Sequence, residues 1–307
     1  MIVYRELSSL EKDLGFSAKQ LYAVSNYLRK HYRNVQLPKK SGGVRNLTVP
    51  DELLKSIQRK ITEVLLLSMP VSRYATAYRD GGSAMRNAKQ HVASPVVLKL
   101  DILHFFDSVR YSAVKELAFP PEIYEENLRI FLAMLCYYQD KLPQGAPSSP
   151  AISNIILYEF DERVGRWCRA RNINYTRYCD DLTFSGSFCP GEVIPFVRAE
   201  LKKCGFLLNE QKTRIQHSGQ QQSVTGIVVN EKLNIPAAYR RKLRQELYYC
   251  RKYGIPEHLR RINSELPEEL YRIQLLGKVN YILQVTPENA QMKEARQWLI
   301  SGGKRNA

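Results

Sequence analysis

The sequence predicts an α+β fold in which a β-α-β-β-α-β core precedes a basic, helical C-terminal region. Three patterns predict it: the apolar run 96–100, the strand-turn-strand pattern of residues 174–185, and the helical periodicity of residues 236–254. The chain has 307 residues, of which 44% are hydrophobic, enough to build a core in one compact unit or in two or three subdomains.

The charge of the chain favours a polyanionic partner. Lys and Arg total 46 against 30 acidic residues, giving a formal net charge of +16. A membrane surface is the competing partner, but no apolar run approaches the length of a spanning helix and no signal-peptide pattern is present. Nucleic acid, no membrane and a cytoplasmic location are therefore expected, with the six scattered cysteines as reduced thiols.

Before the core, two helical regions are predicted on either side of a hairpin. Residues 6–33 and 51–67 have amphipathic helical periodicity. Between them, residues 37–50 form two β-type segments around a Ser-Gly-Gly turn, which is typical of a hairpin. The basic residues on the arms of this hairpin are Lys39, Lys40 and Arg45.

The core itself is predicted to bring three carboxylates together. A buried strand ends near Asp101, and helices at 111–138 and 150–171 lead to a strand pair with Asp180 and Asp181 at its turn. A helix at 192–204 and a strand at 206–215 then complete the β-α-β-β-α-β order. In that order the end of the first strand lies beside the tip of the central hairpin.

Three neighbouring carboxylates repel one another, so their ionised forms need a cation. Mg²⁺ suits such a site, and two ions could activate a 3′-hydroxyl and stabilise a leaving pyrophosphate. The plain alternative is an ordinary aspartate-rich turn, which leaves the strand-borne Asp101 unexplained. The predicted catalytic residues are Asp101, Asp180 and Asp181. The predicted metal site consists of these three residues and Ile102, and it would hold two Mg²⁺ ions, with Mn²⁺ as a possible substitute.

Four strings, in the same order along the chain, resemble the motifs of reverse transcriptases. Tyr178–Asp181 resembles the active-site box, and Asp101–Phe106 the first aspartate motif. Leu142–Pro150 is similar to the template- and nucleotide-positioning loop, and Gly205–Thr213 to the motif whose lysine reaches the triphosphate. The resemblance runs from about residue 37 to 230. It implies a right-hand polymerase with fingers, a ferredoxin-like palm and a helical thumb.

Two further strings narrow the resemblance to retron enzymes. Asn87-Ala-Lys-Gln-His91 is similar to their Asn-Ala-x-x-His element, and Val224-Thr225-Gly226 to the triplet after their palm. The resemblance implies fingers with N-terminal helices at 1–95, a palm with interleaved finger segments at 96–234, and a basic thumb at 235–307. Retroviral, group II intron and abortive-infection reverse transcriptases are weaker matches than the retron enzymes.

The retron resemblance also implies partners and products. The template would be a cognate structured noncoding RNA, primed from a guanosine 2′-hydroxyl to give a branched RNA–DNA hybrid called msDNA. A host RNase H would remove the template. The setting would be anti-phage defence with a separate effector protein.

For the deoxynucleotide (dNTP), the resemblance implies contacts from five side chains. Arg45 and Lys40 would hold the triphosphate, with Lys39 a near substitute, and Phe106 would exclude a 2′-hydroxyl while Phe105 packs in the core. Gln144 and Gly145 would lie near the nascent base pair, and Lys212 would protonate pyrophosphate. His104 stands where an acid or Asn is common and is expected on the opposite strand face. Each assignment has a structural alternative. Lys40 and Arg45 could belong to a solvated hairpin, and Phe106 could be a core ring. The Gln144 loop could simply be rigid, and Lys212 could be a surface lysine. The predicted dNTP residues are Lys40, Arg45, Phe106, Gln144 and Lys212.

For RNA, the retron strings and the C-terminal helix are the predicted contacts. As a structural alternative, Asn87 and His91 could cap a helix, and Thr225 and Gly226 could shape a turn. At 100° per residue, the helix between Pro236 and Gly254 has an apolar face of Tyr239, Leu243, Leu247 and Cys250. A second, basic face would bind phosphates with strong salt dependence, and Tyr248 or Tyr249 could stack on a base. The predicted RNA residues are Asn87, His91, Val224, Thr225, Gly226, Arg240, Arg241, Arg244, Arg251 and Lys252.

Two rival interpretations remain open at the level of sequence. The first is another bacterial reverse transcriptase, of the abortive-infection or intron type, which would not make a branched product. The second is an RNA-binding scaffold with a vestigial site, whose function would survive loss of Asp180 and Asp181.

Overall fold

The computed structural model describes residues 3–38 and 42–303, which group into two compact units. The first unit contains the chain up to Ser83 and Val96–Ile215; the second contains Ala84–Pro95 and the chain from Gln216 onward. The predicted division into fingers, palm and thumb at 1–95, 96–234 and 235–307 uses other boundaries and stays a prediction.

The N-terminal helical region is divided rather than continuous. Helix α1 (Leu7–Leu14) ends at Gly15, whose φ of 74° is left-handed, and α2 (Ala18–Asn26) begins with a capping box between Ser17 and Gln20. A 3₁₀ turn at Leu28–His31 leads to the next strand. Local capping therefore interrupts a periodicity that extends over residues 6–33.

The predicted pairing of two strands is confirmed, although the first strand begins before residue 37 and Ser41 of the predicted turn lies outside the described residues. Strands β1 (Tyr32–Pro38) and β2 (Val44–Pro50) are antiparallel, with Arg45 opposite Leu37. Helix α3 (Glu52–Lys60) follows, begins with the Asp51 carboxylate accepting from the Leu54 amide, and continues as a π-helical turn.

A four-stranded sheet forms the centre of the first unit. Its strands are β3 (Val96–Asp101), β4 (Asn174–Tyr178), β5 (Asp181–Gly186) and β6 (Arg214–His217), in the order β4-β5-β3-β6. The division between the two units falls within β6, after Ile215. The first strand of the β-α-β-β-α-β unit thus lies between the third and fourth, which confirms the ferredoxin-like prediction.

The last strand of this sheet is shorter than the predicted 206–215. After Phe206 the chain crosses the end of β3, where the Leu103 amide donates to the Leu207 carbonyl and the Asn209 amide to the Asp101 carbonyl. A 3₁₀ turn at Glu210–Lys212 then precedes β6. The apolar pattern of residues 206–215 thus correctly predicted contact with the sheet, but it did not predict that the chain turns before it forms β6.

Helices cover the sheet, and their apolar faces form the core. The predicted helix 111–138 is interrupted around Pro120 and Pro121, because proline lacks the amide that a helix interior requires. The π-helical segment Val114–Ala118 lies before this break. The helices after β3 in this unit are α5 (Tyr111–Ala113), α6 (Glu126–Cys136), α7 (Ser149–Ile156), α8 (Tyr158–Arg169) and α9 (Pro190–Lys203).

The second unit joins the two retron-like strings. Helix α4 (Ala84–Lys89) packs on the hairpin of β7 (Ser223–Val224) and β8 (Ile227–Val228), where the Thr225 hydroxyl donates to the Ala84 carbonyl at 2.8 Å. Thr225 and Gly226 have φ of 47° and 81°, the two positive values that a tight two-residue hairpin turn requires.

Four more helices complete this unit. Their bounds are α10 (Ala237–Tyr253), α11 (Ile255–Arg261), α12 (Glu268–Val285) and α13 (Ala290–Ile300). Leu243, Leu247 and Cys250 are buried as predicted, whereas Tyr239 is 37% exposed. Among the helices of the described residues, none combines the length and apolarity needed to cross a membrane.

The same substitution at two helical glycines should have opposite effects on stability. A Cβ at buried Gly165 would lie 2.0 Å from the Tyr74 ring, so Gly165→Ala should destabilise the protein by about 1–3 kcal/mol through overpacking. A Cβ at exposed Gly277 meets nothing within 4 Å, so Gly277→Ala should stabilise its helix by up to about 1 kcal/mol. Thermal unfolding checks both; equal shifts in Tm would contradict the described packing of Tyr74.

Candidate active site

The three predicted aspartates meet at one end of the sheet. Asp101 is the last residue of β3 and lies directly opposite Asp181, the first residue of β5. Asp180 precedes Asp181, and its carbonyl accepts from the Ile102 amide at 3.1 Å. The predicted convergence of the aspartates in the fold is therefore confirmed, although the sites of metal binding stay a prediction.

The turn that carries the acidic pair is tight. Tyr178 pairs with Asp181, so Cys179 and Asp180 form the turn between them. Cys179 has a φ of 60°, a left-handed conformation that is uncommon outside glycine. The turn therefore depends on contacts that hold Cys179 in this conformation.

The Asp101 carboxylate is buried and has two polar partners. It accepts from Asn209 Nδ2 at 3.1 Å and from Lys212 Nζ at 2.9 Å. The hydrogen bond to Asp101 raises the pKa of Lys212 above its usual value, so this amine stays protonated. Asn209 lies inside a motif that the sequence identified, but its residue type alone did not predict a contact with Asp101.

Crowding of the acids changes the titration of Asp181. Burial, and next the charges of Asp180 and Asp101, raise the pKa of Asp181 to about 6, while Lys99 and Lys212 oppose the shift. A carboxylate under such repulsion favours a nearby cation.

The acids fit a divalent cation by chemistry, although their side chains do not yet enclose one. Within residues 3–38 and 42–303, no three His, Cys, Asp or Glu side chains are arranged as a ready metal group. Asp101 is turned toward Asn209 and Lys212 instead. The Ile102 side chain is buried and apolar, so only its main-chain carbonyl could serve as a ligand.

A cavity of about 740 Å³ opens beside the aspartates. The predicted dNTP residues that line it are Arg45, Phe106, Gln144 and Lys212. Lys39 and Lys40 lie outside the described residues. Phe105 is 4% exposed and packs against Phe206, as expected for a core ring.

His104 departs from its predicted orientation. It lines the cavity and has a φ of 47°. The expectation of an opposite-face position was wrong because β3 ends at Asp101, so strand alternation does not extend to His104.

Gly145 permits a close approach, but to the hairpin. Its amide donates to the Thr48 carbonyl at 3.2 Å, and a Cβ there would lie 2.7 Å from Val49 Cγ2. The loop that carries Gln144 is therefore seated directly on β2.

Several predicted RNA residues are interior. Asn87, His91 and Val224 are each 0% exposed, and burial lowers the pKa of His91 to about 3, so its ring is neutral. Gly226 is exposed at the tip of its turn. Any effect of these three buried residues on RNA would therefore be indirect, through the packing of the second unit.

The basic face of α10 is only partly available for a ligand. Arg241, Arg244 and Lys252 are exposed and Arg240 is half-buried. Arg251 instead pairs with Glu294 at 2.8 Å and lies over the Trp298 ring. Tyr248 is 57% exposed and Tyr249 36%, so the former ring is the more accessible.

Comparison with known proteins identifies relatives. A family model described as reverse transcriptase (RNA-dependent DNA polymerase) matches residues 37–235, which together with the sheet order confirms the predicted right-hand polymerase fold class. Retron Mx65 reverse transcriptase of Myxococcus xanthus is 33% identical over 87% of this chain and 64% of its own length. This chain therefore spans less than two thirds of that relative.

Two Escherichia coli proteins and one solved structure extend the comparison. Retron Ec83 reverse transcriptase is 32% identical over 67% of this chain and 71% of its own. Retron Ec86 reverse transcriptase is 29% identical over 84% and 82%, respectively. The structure of Candida albicans telomerase has a TM-score of 0.48 at 10% identity, covering 94% of this chain and 69% of that one.

Removing the Asp181 charge should stabilise the metal-free protein at neutral pH. Because the folded protein holds this proton more tightly than the unfolded chain does, ionisation lowers stability as pH rises from about 4 to about 6, and the loss is constant above. In EDTA, Asp181→Asn should therefore raise Tm at about pH 8, with a gain that disappears toward about pH 4. The exposed-aspartate control Asp80→Asn should show no such pH-dependent gain. A lower Tm for Asp181→Asn at the higher pH would contradict a destabilising effect of the buried, crowded Asp181 charge.

Proposed function

This chain belongs to the retron reverse transcriptases, and we propose that it is an RNA-directed DNA polymerase. The observation that carries the proposal is the register pair of Asp101 and Asp181, with Asp180 beside them, at the edge of a nucleotide-sized cavity. These hard oxygen donors line one cavity with Arg45 and Lys212, a combination suited to phosphoryl transfer from a triphosphate.

Divalent cations are the proposed cofactors, two Mg²⁺ ions with Mn²⁺ as a substitute. Asp101, Asp180, Asp181 and the Ile102 carbonyl would hold them. Such ions, when bound, supply charge stabilisation for the attacking and leaving oxygens of the displacement.

Lys212 is suited to act on the leaving group. Its side chain is 60% exposed, so the amine can turn from Asp101 toward phosphates in the cavity. A lysine amine is protonated at neutral pH at its ordinary pKa, and Lys212 would pass this proton to the departing pyrophosphate once it has left the Asp101 carboxylate.

The walls of the cavity would select and orient the nucleotide. Arg45 offers a planar fork to phosphate oxygens, and Lys40 is proposed as a second contact to the triphosphate. Gln144 would contact the nascent base pair, and the half-buried Phe106 ring would lie under the sugar.

A structured noncoding RNA is the proposed template. The printed names of the relatives are those of retron enzymes, and the exposed Arg241, Arg244, Lys252 and Tyr248 offer charge and a stacking ring to RNA. Priming from a guanosine 2′-hydroxyl would give branched msDNA, and a cellular RNase H would remove the template. We place the enzyme in the cytoplasm, in an anti-phage system with a separate effector protein.

Sequencing the nucleic acid that co-purifies with the protein tests this function. The wild type should carry a covalent RNA–DNA species and incorporate dNTPs on its RNA, whereas Asp180→Asn should bind RNA without making DNA. DNA extended only from ordinary 3′ ends would reject the retron product. If the wild type binds RNA but incorporates no dNTP, the protein is instead an RNA-binding scaffold with a vestigial polymerase site.

Phe106 should determine sugar selectivity. Phe106→Val removes the ring that would meet a 2′-hydroxyl, so the ratio of ribonucleotide to deoxynucleotide incorporation should rise about tenfold or more. Phe106→Tyr retains the ring and is the matched control. Single-nucleotide extension with dNTP and rNTP measures the ratio, and equal selectivity in wild type and Phe106→Val would reject the gate.

A further inference from the structure

A fully buried arginine lies directly behind the acidic turn. Arg177, on β4, is 0% exposed and is among the largest side chains wholly removed from solvent in the described chain. Burying a guanidinium is unfavourable unless its charge and its N–H donors all find partners. The identity of those partners indicates what the residue does.

The first partner neutralises the charge. Arg177 Nε lies 2.9 Å and Nη2 2.6 Å from the two oxygens of Asp161, on α8, in a bidentate ion pair. Tyr175 also donates its hydroxyl to Asp161 at 2.7 Å. Apolar residues could fill the same space, and buried ion pairs are weak evidence for a stabilising role. Neutralisation alone therefore does not explain why an arginine is here.

The remaining donor is aimed at the active-site turn. Arg177 Nη1 donates at 3.1 Å to the carbonyl of Cys179, the left-handed residue immediately before Asp180. The same nitrogen lies 3.1 Å from Asn154 Oδ1. One guanidinium thus holds the turn from inside the protein and ties it to a helix.

That helix continues from the nucleotide-positioning loop. Asn154 is on α7, which begins at Ser149, directly after the stretch that contains Gln144. Asn154 Nδ2 also donates to the Ala77 and Tyr78 carbonyls at 2.9 and 3.3 Å. The cluster therefore connects the acidic turn, the loop and the segment around Tyr78 within the first unit.

We propose that Arg177 is a positioning residue for DNA synthesis. With Asp161 and Asn154 it fixes the turn of Asp180 and Asp181 relative to the Gln144 loop. It thereby sets the rate of nucleotide transfer rather than the affinity for the nucleotide. This inference rests on the proposed polymerase function, but its physical core, a turn held by Arg177, can be measured without catalysis.

Arg177→Lys is the decisive variant. Lysine retains the charge that compensates Asp161 but cannot bond Asp161, Asn154 and Cys179 together, because it lacks the planar fork. In steady-state extension, kcat should fall at least about tenfold while KM for dNTP stays within about twofold, since small misplacements of reacting groups affect the chemical step. The Mg²⁺ concentration for half-maximal rate should also rise.

Arg129→Lys is the matched control. Arg129 is also buried, at 5% exposure, pairs with Glu116 and Glu126, and donates to the Phe119 carbonyl at 2.8 Å. Its partners are on other elements than the acidic turn. The control should lower Tm by a similar amount yet leave kcat within about twofold of wild type. Equal losses of kcat in the two variants would overturn the proposal.

Hydrogen exchange of the nucleotide-free protein gives a second readout. In Arg177→Lys, amides in the peptide 174–186 should exchange at least about tenfold faster, whereas Arg129→Lys should leave that peptide unchanged. Asn154→Ala keeps the ion pair of Arg177 with Asp161, so exchange in this peptide should accelerate by a smaller factor. This variant tests the proposal if Arg177→Lys does not fold. If the wild type proves inactive, the proposed function is rejected, and hydrogen exchange still decides whether Arg177 holds the turn. Unchanged exchange of peptide 174–186 in both Arg177→Lys and Asn154→Ala would reject that role of Arg177.

Discussion

Electrostatic repulsion between carboxylates is the constraint around which the first unit is organised. β-sheet register, rather than flexible side chains, brings Asp101 opposite Asp181, so the acids cannot separate without breaking the ladder. Lys212 and Asn209 reduce the repulsion at Asp101, and Lys99 reduces it at Asp181. A folded scaffold that holds like charges together has an inherent affinity for polyvalent cations.

Support for this cluster comes in layers. The turn residue Cys179 adopts a left-handed backbone, and the donor that reaches its carbonyl belongs to Arg177, whose charge is balanced by Asp161. The half-buried Asp180 and Asp181 therefore stand on a buried polar network, and that network includes residues of the helices α7 and α8. Under the positioning role proposed for Arg177, this network would hold the acidic turn in place beside the open cavity.

The sequence predicted this site well where the spacing of elements determined it. The β-α-β-β-α-β order was sufficient to place the three aspartates together, because strand order fixes which ends are adjacent. It did not predict the orientation of His104 or the engagement of Arg251 with Glu294, because both depend on tertiary contacts. Arg177 gave no signal, since a basic residue next to a motif is usually solvated, and only its 0% exposure distinguishes it.

The contact between Gly145 and β2 has a mechanical consequence. A Cβ at residue 145 would lie 2.7 Å from Val49 Cγ2, and the Gly145 amide bonds the Thr48 carbonyl, so the loop and the hairpin arm are in direct contact. A displacement of β2 would therefore also displace Gly145 and the adjacent Gln144. Arg45 on the hairpin and Gln144 on the loop line the same cavity, so a ligand that displaces one of these walls would also displace the other.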